Sequence, residues 1–253
     1  MSTYDFKAQR LFVEAPLHVG ARVVPKPPAQ NYLLNVLRLR ADDPLLLFNG
    51  RDGEWRARIE LASRREAALI VEEQMRAQSS AGDLEYAFAP LKQARLDYMV
   101  QKAAEMGVAR LIPVLTRRTQ VRRVNLERLR ANVIEAAEQC GLLNVPEIVE
   151  ARDLADWLAS LPAGRPLIFC DEDAEVADPV AALRNAGTGE ARQLGAPVSL
   201  LIGPEGGFDE AEREQILRKY NVLRLSLGPR ILRADTAAVA ALALVQSVLG
   251  DWL

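Results

Sequence analysis

The feature that most limits the fold is a regular alternation, from residue 84 onward, of short apolar runs with longer segments of helical periodicity. Gly107 and Gly141 follow the first two helical segments, as glycines at helix C-termini do. Short continuous apolar runs are typical of strands buried on both faces. The alternation predicts a largely parallel α/β sheet for residues 84–253. The predicted strands are 84–89, 108–114, 167–170, 198–202 and 222–225, and the predicted helices are 91–106, 125–140, 209–220 and 234–249.

The first 75 residues have a different pattern, in which short strands are separated by turns. Asp42-Asp43-Pro44 and residues 49–53 are turn signals, and residues 45–48 and 54–61 are typical of strands. A short helix is predicted over 32–40. This pattern indicates a small β-barrel.

Two domains follow from this contrast: a β-barrel over residues 1–75 and an α/β domain over 76–253. The polar stretch 76–82 is the predicted linker. Residues 181–196 are rich in alanine and glycine, which favours a loop or a loose helix end.

Composition excludes several classes of protein. A hydrophobic fraction of 49% is ample for a core, so a largely disordered chain is excluded. The longest wholly apolar run is the nine residues 237–245, whereas a membrane helix needs about 20. Without a signal-type N-terminus, we expect a soluble cytoplasmic protein that makes no membrane contact. Cys140 and Cys170 form no CxxC pair, and His18 is the only histidine, so we expect reduced thiols and no metal.

The net charge of −2 hides a strong asymmetry along the chain. Residues 78–130 carry a net charge of +5, whereas residues 131–253 carry −9. The basic segment, residues 110–130, contains seven arginines against Glu127 alone. Arginine offers planar bidentate donors that suit phosphate, so the basic segment indicates a nucleic-acid surface. A solvated helix face with a basic loop explains the same charge equally well.

The first loop with chemical potential is Gly203-Pro-Glu-Gly-Gly207, the glycine loop, which directly follows a predicted buried strand. Ligands of open α/β sheets bind at the carboxyl ends of strands, and glycine lets the backbone approach them closely. Asp209 and Glu212 then predict a capping box at the start of a helix. The loop is neither a Walker A nor a GxGxxG motif, which disfavours a Rossmann-type cofactor site. A tight structural turn remains an alternative.

The second loop, Leu225-Ser-Leu-Gly-Pro-Arg-Ile-Leu-Arg233, is called the arginine loop and precedes an alanine-rich helix. Arg230, Arg233 and Asp235 lie within six residues of one another. Small residues at 237, 238, 240, 241 and 243 would let another backbone pack closely. Asp235 also suits a helix N-terminus through the macrodipole alone, and the alanines suit a helix by propensity alone.

Together with three further segments, these loops resemble the ribosomal RNA small subunit methyltransferase E family of the SPOUT superfamily. The further segments are Val36-Leu-Arg-Leu39, Gln101-Lys-Ala-Ala-Glu-Met-Gly-Val108, and Ala137-Glu-Gln-Cys-Gly141 with Val145-Pro-Glu147. The resemblance covers nearly the whole chain. Several segments in the right order are far more specific than any one motif.

The resemblance implies an enzyme that methylates N3 of a uridine in small-subunit (16S) ribosomal RNA with S-adenosylmethionine. It also implies an N-terminal PUA-like β-barrel, an α/β domain with a C-terminal trefoil knot, and a homodimer formed through the last helix. The expected RNA partner is part of an assembled or assembling ribosomal particle. The residues implied to bind the cofactor are Phe169, Cys170, Ile202, Gly203, Pro204, Glu205, Gly206, Gly207, Leu225, Leu227, Gly228, Ile231 and Leu232.

Uridine N3 is protonated and weakly nucleophilic, so the reaction needs help at the acceptor. Arg230 and Arg233 are predicted to stabilise the developing uracil anion. Glu205 and Asp235 are the candidate proton carriers. Alternatively, Arg233 and Asp235 form a structural ion pair.

The target base must leave its stack before N3 is reached, and affinity for RNA should fall steeply with salt. The predicted RNA contacts are Arg10, Arg38, Arg40, Arg117, Arg118, Arg122 and Arg123.

Two departures from the family pattern are visible. The family has arginine after Ala137–Gly141, where this chain has Leu142, and it has Thr-Glu where this chain has Ala234-Asp235. The basic contact that arginine would make at Leu142 is therefore missing or supplied by a neighbour such as Arg117 or Arg118. The side chain of Asp235 is also one methylene shorter than the glutamate of the family, so its carboxylate reaches less far.

Two other functions fit parts of the sequence. A non-enzymatic protein that only grips ribosomal RNA would share the basic surface but bind no methyl donor. An α/β enzyme acting on a phosphorylated metabolite would share the glycine loops but leave the basic segment unexplained.

Overall fold

The computed structural model describes residues 8–63, 66–175, 178–186 and 197–252. The chain divides into two compact units. The first unit comprises residues 1–80 together with 137–145, and the second comprises 81–136 together with 146–253. The sequence pattern places the boundary at residue 75 and gives no hint that 137–145 belongs to the first unit. In the described part of the chain, no helix has the length and apolarity needed to cross a bilayer.

The first unit contains a mixed five-stranded sheet in the order β1-β3-β4-β5-β2. β1 pairs with β3 in parallel, and the other pairs are antiparallel. The predicted strands 45–48 and 54–61 are confirmed within β3 and β4. Alternate side chains of β3, such as Leu45 and Leu47, are buried in one apolar cluster with Ile59 of β4. The strands are β1 (Arg10–Phe12), β2 (Arg22–Val23), β3 (Pro44–Phe48), β4 (Glu54–Ser63) and β5 (Glu66–Arg76).

The helix predicted over 32–40 begins earlier and ends earlier than expected. α1 (Pro27–Asn31) starts at a proline, which is tolerated in the first turn because its missing N–H has no intrahelical partner there. One turn of π-helix, Tyr32–Val36, follows and buries Leu33. Arg38 then adopts a φ of 57°, a left-handed conformation that cannot continue the helix.

A buried carboxylate joins the sheet of the first unit to its segment 137–145. Glu54 is fully buried and accepts hydrogen bonds from Arg10 Nε at 2.7 Å and Arg76 Nε at 2.8 Å. Arg10 also donates to the carbonyl oxygens of Ala137 and Leu142, and Arg76 donates to that of Gly141. The arginines thus satisfy carbonyls at a helix C-terminus, which have no partner within the helix.

The second unit contains a sheet in which every pair of strands is parallel, as the sequence predicts. The strand order is β12-β10-β11-β6-β7-β8, and β9 pairs with the end of β7. The last three strands have the predicted bounds. The strands are β6 (Leu84–Phe88), β7 (Arg110–Leu115), β8 (Glu147–Ile148), β9 (Arg152–Asp153), β10 (Leu167–Cys170), β11 (Val198–Ile202) and β12 (Val222–Leu225).

The four predicted helices of the α/β region are present with slightly shorter bounds, and two further helices occur. α4 was not expected; its Trp157 is buried against the sheet core. Residues 181–186 of the segment expected to be a loop or loose helix end belong to α5, and 187–196 lie outside the described residues. The helices are α2 (Gln93–Glu105), α3 (Leu126–Cys140), α4 (Leu154–Ser160), α5 (Pro179–Ala186), α6 (Glu210–Leu217) and α7 (Ala234–Val248).

Replacing the buried carboxylate should destabilise the first unit. Glu54→Ala removes the carboxylate that pairs with the buried Arg10, so we expect the free energy of unfolding to fall by about 3–5 kcal/mol, as for other broken buried pairs. Glu73→Ala is the control, because the Arg56–Glu73 pair is exposed (44% and 59%) and such pairs contribute about 0–1 kcal/mol. Urea unfolding followed by circular dichroism measures both. Equal losses in the two variants would contradict the role given to Glu54.

Candidate active site

Three loops meet at the carboxyl edge of the second unit's sheet because β10 pairs in parallel with both β11 and β12. Ile168 of β10 is level with Leu200 on one side and Leu223 on the other. The loops that leave these strands enclose a cavity of about 870 Å³. A cavity of this size accommodates a nucleoside-sized ligand. All the predicted cofactor-binding residues except Gly206 line it.

Two of the three glycines of the glycine loop, Gly203 and Gly207, occupy positions that do not accommodate a side chain. A Cβ atom on Gly203 would lie 2.4 Å from the ring of Phe208, which itself packs edge-to-face on Phe169 at 5.4 Å between centroids. Gly207 has a φ of 70°, where a side chain would be strained. The loop conformation therefore requires glycine at both positions.

The helix after the glycine loop begins with the predicted capping box. The Glu212 backbone N–H donates to Asp209 Oδ1 at 2.8 Å, and the Asp209 N–H donates to Glu212 Oε2 at 3.1 Å. The Asp209 pKa is lowered, first by this backbone hydrogen bond and then by the nearby Arg117 charge. The remaining oxygen of Glu212 accepts from the Arg117 N–H at 2.7 Å. Glu212 thus joins α6 to the turn after β7.

That turn, Thr116–Thr119, presents two arginines to the glycine loop. The hydroxyls of Thr116 and Thr119 are buried and lie 2.9 Å apart, which fixes the turn. Arg117 forms an ion pair with Asp209 at 2.8 Å, and Arg118 donates to the Gly206 carbonyl at 2.6 Å. The predicted basic segment therefore supports the predicted glycine loop directly.

The candidate proton carriers differ in their placement. Glu205 lines the cavity and forms an ion pair with Arg95 of α2, and each side chain is 38% exposed. Asp235 lies in the first turn of α7 and is not part of the cavity wall. The catalytic role predicted for Asp235 stays a prediction. Arg95 was missed at the sequence level because it lies 110 positions from Glu205.

The two arginines of the arginine loop line the cavity. Arg230 and Arg233 are exposed, and Arg233 is the N-cap residue of α7 but makes no side-chain capping bond. Within the part of the chain that the structure describes, Arg233 and Asp235 form no ion pair. The structural alternative for Arg233 is thereby removed.

A buried aspartate joins the end of β10 to β12 and to α6. Asp171 follows β10 and accepts from Arg224 Nε of β12 at 2.7 Å and from an Arg213 nitrogen of α6 at 2.9 Å. Burial alone would raise the pKa of Asp171, but the hydrogen bonds from Arg213 and Arg224 outweigh it and lower that pKa below its ordinary value. Asp171 is therefore a carboxylate at neutral pH. Sequence reasoning missed it.

The thiol beside this aspartate is not a nucleophile. Burial, with the Asp171 charge as a second cause, raises the pKa of Cys170 to about 12. Only the thiolate is reactive, so Cys170 contributes surface to the cavity rather than chemistry.

The predicted RNA contacts are exposed with one exception. Arg38 and Arg40 are exposed on the first unit, and Arg117, Arg118, Arg122 and Arg123 are exposed on the second. Arg10 is wrong as a predicted RNA contact, because it is only 8% exposed and its guanidinium bonds to Glu54 and to backbone carbonyls. Its charge is used inside the first unit.

Comparison with known proteins gives matches to both units. A family model described as RNA methyltransferase domain matches residues 78–246, and one described as RNA methyltransferase PUA domain matches residues 26–72. Ribosomal RNA small subunit methyltransferase E of Rickettsia conorii is 31% identical over 241 residues, covering 95% of this chain and 96% of that protein.

Two solved structures are similar over almost the whole chain, and both hold S-adenosylmethionine. The Neisseria gonorrhoeae ribosomal RNA small subunit methyltransferase E has a TM-score of 0.83 at 27% identity, covering 97% of this chain and 100% of that one. A Legionella pneumophila structure has a TM-score of 0.81 at 29% identity, covering 95% and 98%.

The Asp171 network should make stability depend on pH. The folded-state pKa lies below the unfolded value of about 3.9, so the ionised form stabilises the fold above that pH and its contribution is lost as the pH falls through the folded pKa. We expect Asp171→Asn to lose roughly 2 kcal/mol of unfolding free energy at pH 7 and progressively less below pH about 3.9. Urea titrations across pH 3–7 measure this. Asp173→Asn is the matched control because that side chain is 72% exposed; a pH-independent deficit at Asp171 would contradict the assignment.

Proposed function

The chain belongs to the ribosomal RNA small subunit methyltransferase E family, and we propose that it transfers a methyl group from S-adenosylmethionine to N3 of a uridine in small-subunit ribosomal RNA. Its relatives support S-adenosylmethionine-dependent methylation of ribosomal RNA. The choice of N3 follows the sequence resemblance. The observation that carries the proposal is the cavity at the carboxyl edge of the sheet, which the glycine loop and the arginine loop enclose.

The residues around the cavity fit S-adenosylmethionine. Ile202, Leu225 and Leu227 supply apolar wall for an adenine ring, and Gly203 brings the backbone close because a Cβ has no room there. Glu172 and Asp173, on the loop after β10, supply acceptors for hydroxyl or ammonium groups. The cavity wall is thus partly apolar and partly acidic, which suits a ligand with an adenine ring and a positive charge.

When bound, S-adenosylmethionine supplies a methyl group on a sulfonium, which is already a good leaving group. The chain's task is to position the acceptor and stabilise its charge. Arg230 and Arg233 donate hydrogen bonds to the uracil carbonyl oxygens and stabilise the negative charge that develops there. Both lie in the cavity wall.

Glu205 takes the N3 proton in this proposal, directly or through a water molecule. It lines the cavity, whereas Asp235 does not.

We propose further that both units have the architecture that the sequence resemblance implies. The sheet of the first unit closes into a PUA-like barrel that contacts RNA through Arg38 and Arg40, and the second unit is a SPOUT domain with a C-terminal trefoil knot. α7 forms a homodimer through its half-buried face, which includes Ala240 and Ala243. The substrate is ribosomal RNA in an assembled or assembling particle in the cytoplasm.

Cofactor binding tests the cavity assignment. Gly203→Ala forces the Phe208 ring to move, so we expect at least a tenfold loss of affinity for S-adenosylmethionine by isothermal titration calorimetry. Gly164→Ala is the control, because a Cβ there meets nothing within 4 Å. Unchanged affinity in Gly203→Ala would place the cofactor elsewhere, and a wild type that binds RNA but no S-adenosylmethionine would support the non-enzymatic alternative.

Kinetics tests the assigned role of Arg233. With small-subunit RNA from a strain lacking the protein, nucleoside mass spectrometry should detect 3-methyluridine only after incubation with protein and cofactor. Arg233→Ala should lower the single-turnover rate about 10²–10³-fold while cofactor affinity stays unchanged, because the guanidinium acts on charge formed in the transition state. Arg152→Ala, an exposed arginine away from the cavity, is the control. A wild-type rate in Arg233→Ala overturns the assignment.

A further inference from the structure

We propose that Arg95 binds a backbone phosphate of the RNA substrate at the rim of the cofactor cavity, and that the Glu205 carboxylate occupies this phosphate position until RNA arrives. The inference rests on the proposed function and adds a substrate contact and a trigger to it. Arg95 lies outside the basic segment, and neither its charge nor its neighbours mark it in the sequence.

The properties of the Arg95–Glu205 pair allow a phosphate to replace the Glu205 carboxylate on Arg95. Arg95 lies in the first turn of α2, and both members of the pair line the cavity. Each side chain is 38% exposed, and ion pairs of such exposure contribute little to stability. A phosphate offers arginine the same two-oxygen geometry with a stronger charge-assisted hydrogen bond. Phosphate can therefore displace the carboxylate at small cost.

The glycine loop does not need this pair to keep its conformation. The adjacent Gly206 carbonyl accepts from Arg118 at 2.6 Å, and Asp209 pairs with Arg117 at 2.8 Å. The buried Glu212 completes the capping box behind them. Release of the Glu205 side chain from Arg95 thus leaves the backbone of the cofactor loop anchored.

The surroundings of Arg95 favour a polyanion over the carboxylate of a small ligand. The first turn of α2 contains no acidic residue, and its N-cap Lys92 is exposed and makes no capping bond. Arg118 contacts Gly206, the residue after Glu205, and the exposed Arg122 and Arg123 follow it within the basic segment. An RNA strand that follows this positive surface reaches the cavity rim at Arg95.

The exchange makes the availability of Glu205 as a proton acceptor depend on RNA binding. While Arg95 holds Glu205, the carboxylate is engaged at the rim. Once a phosphate takes Arg95, Glu205 is free within the cavity that it lines, where the proposed mechanism needs a proton acceptor. Binding of RNA thus releases the Glu205 carboxylate, the proposed proton acceptor, in the same step.

The salt dependence of RNA binding tests Arg95 as a phosphate ligand. Filter binding of a labelled small-subunit ribosomal RNA transcript is measured at several salt concentrations. Loss of one phosphate contact in Arg95→Ala should reduce the slope of log K against log salt by about 0.7–0.9 and lower affinity several-fold. Arg95→Lys should restore the slope, which a purely structural role would not do. Arg218→Ala is the control, because Arg218 forms an exposed pair with Glu214 and does not line the cavity.

Removal of the competing carboxylate should change RNA affinity in the opposite direction. Glu205→Gln should tighten RNA binding several-fold, and this gain should vanish in the Arg95→Ala/Glu205→Gln double variant. Cofactor affinity of Arg95→Ala, measured by calorimetry, should equal that of the wild type.

Three results would overturn the inference: an unchanged salt slope in Arg95→Ala, weaker RNA binding in Glu205→Gln, or loss of cofactor affinity in Arg95→Ala with RNA affinity intact, which would assign Arg95 to the cofactor. These are binding measurements. A wild type that binds RNA but transfers no methyl group overturns the proposed reaction and leaves the slope to decide on Arg95.

Discussion

Parallel pairing of β10 with two strands that lie much later in the chain is the constraint on which the site depends. Strands that run in the same direction must be joined by crossovers, and their carboxyl ends then lie at one edge. Residues near 171, 203 and 226 become neighbours only for this reason. β10 and β11 are almost wholly buried, whereas β12 is half-buried and contributes Arg224, so most of the polar chemistry falls to the loops that leave the strands. Asp171 fixes that edge by accepting hydrogen bonds from both α6 and β12.

Arginine side chains have two different roles in this molecule: some bond within the fold, and others present positive charge at the surface. In the first unit, Arg10 and Arg76 lie against a buried carboxylate and saturate carbonyl groups, so their charge is spent on the fold. In the second unit, Arg118 bonds to the glycine loop and Arg117 bonds to Asp209 just after it, and both residues remain exposed. The basic surface proposed to bind RNA and the loop that lines the cavity are thus directly bonded to each other.

Local patterns in the sequence were sufficient for most of the second unit. The apolar runs of β10, β11 and β12 and the Asp209–Glu212 capping box depend on neighbouring residues, and the structure confirms them. Features that depend on distant partners could not be predicted. Arg10 looks like any surface arginine until Glu54 is placed beside it, 44 positions away. The Arg95–Glu205 pair and the Asp171 network were missed for the same reason, because their members lie far apart in the sequence.

The division between the two units falls within α3, and this has a consequence for how the chain is made. Phe48 shares an apolar cluster with Ala137 and Leu143, and Arg10 and Arg76 bond to carbonyls of the same segment. On the ribosome, the N-terminal part emerges first but lacks these partners until residue 145 has left the exit tunnel. A nascent chain shorter than this carries an open apolar patch and two arginines without their carbonyl acceptors. Completion of the first unit is therefore tied to synthesis of a large part of the second.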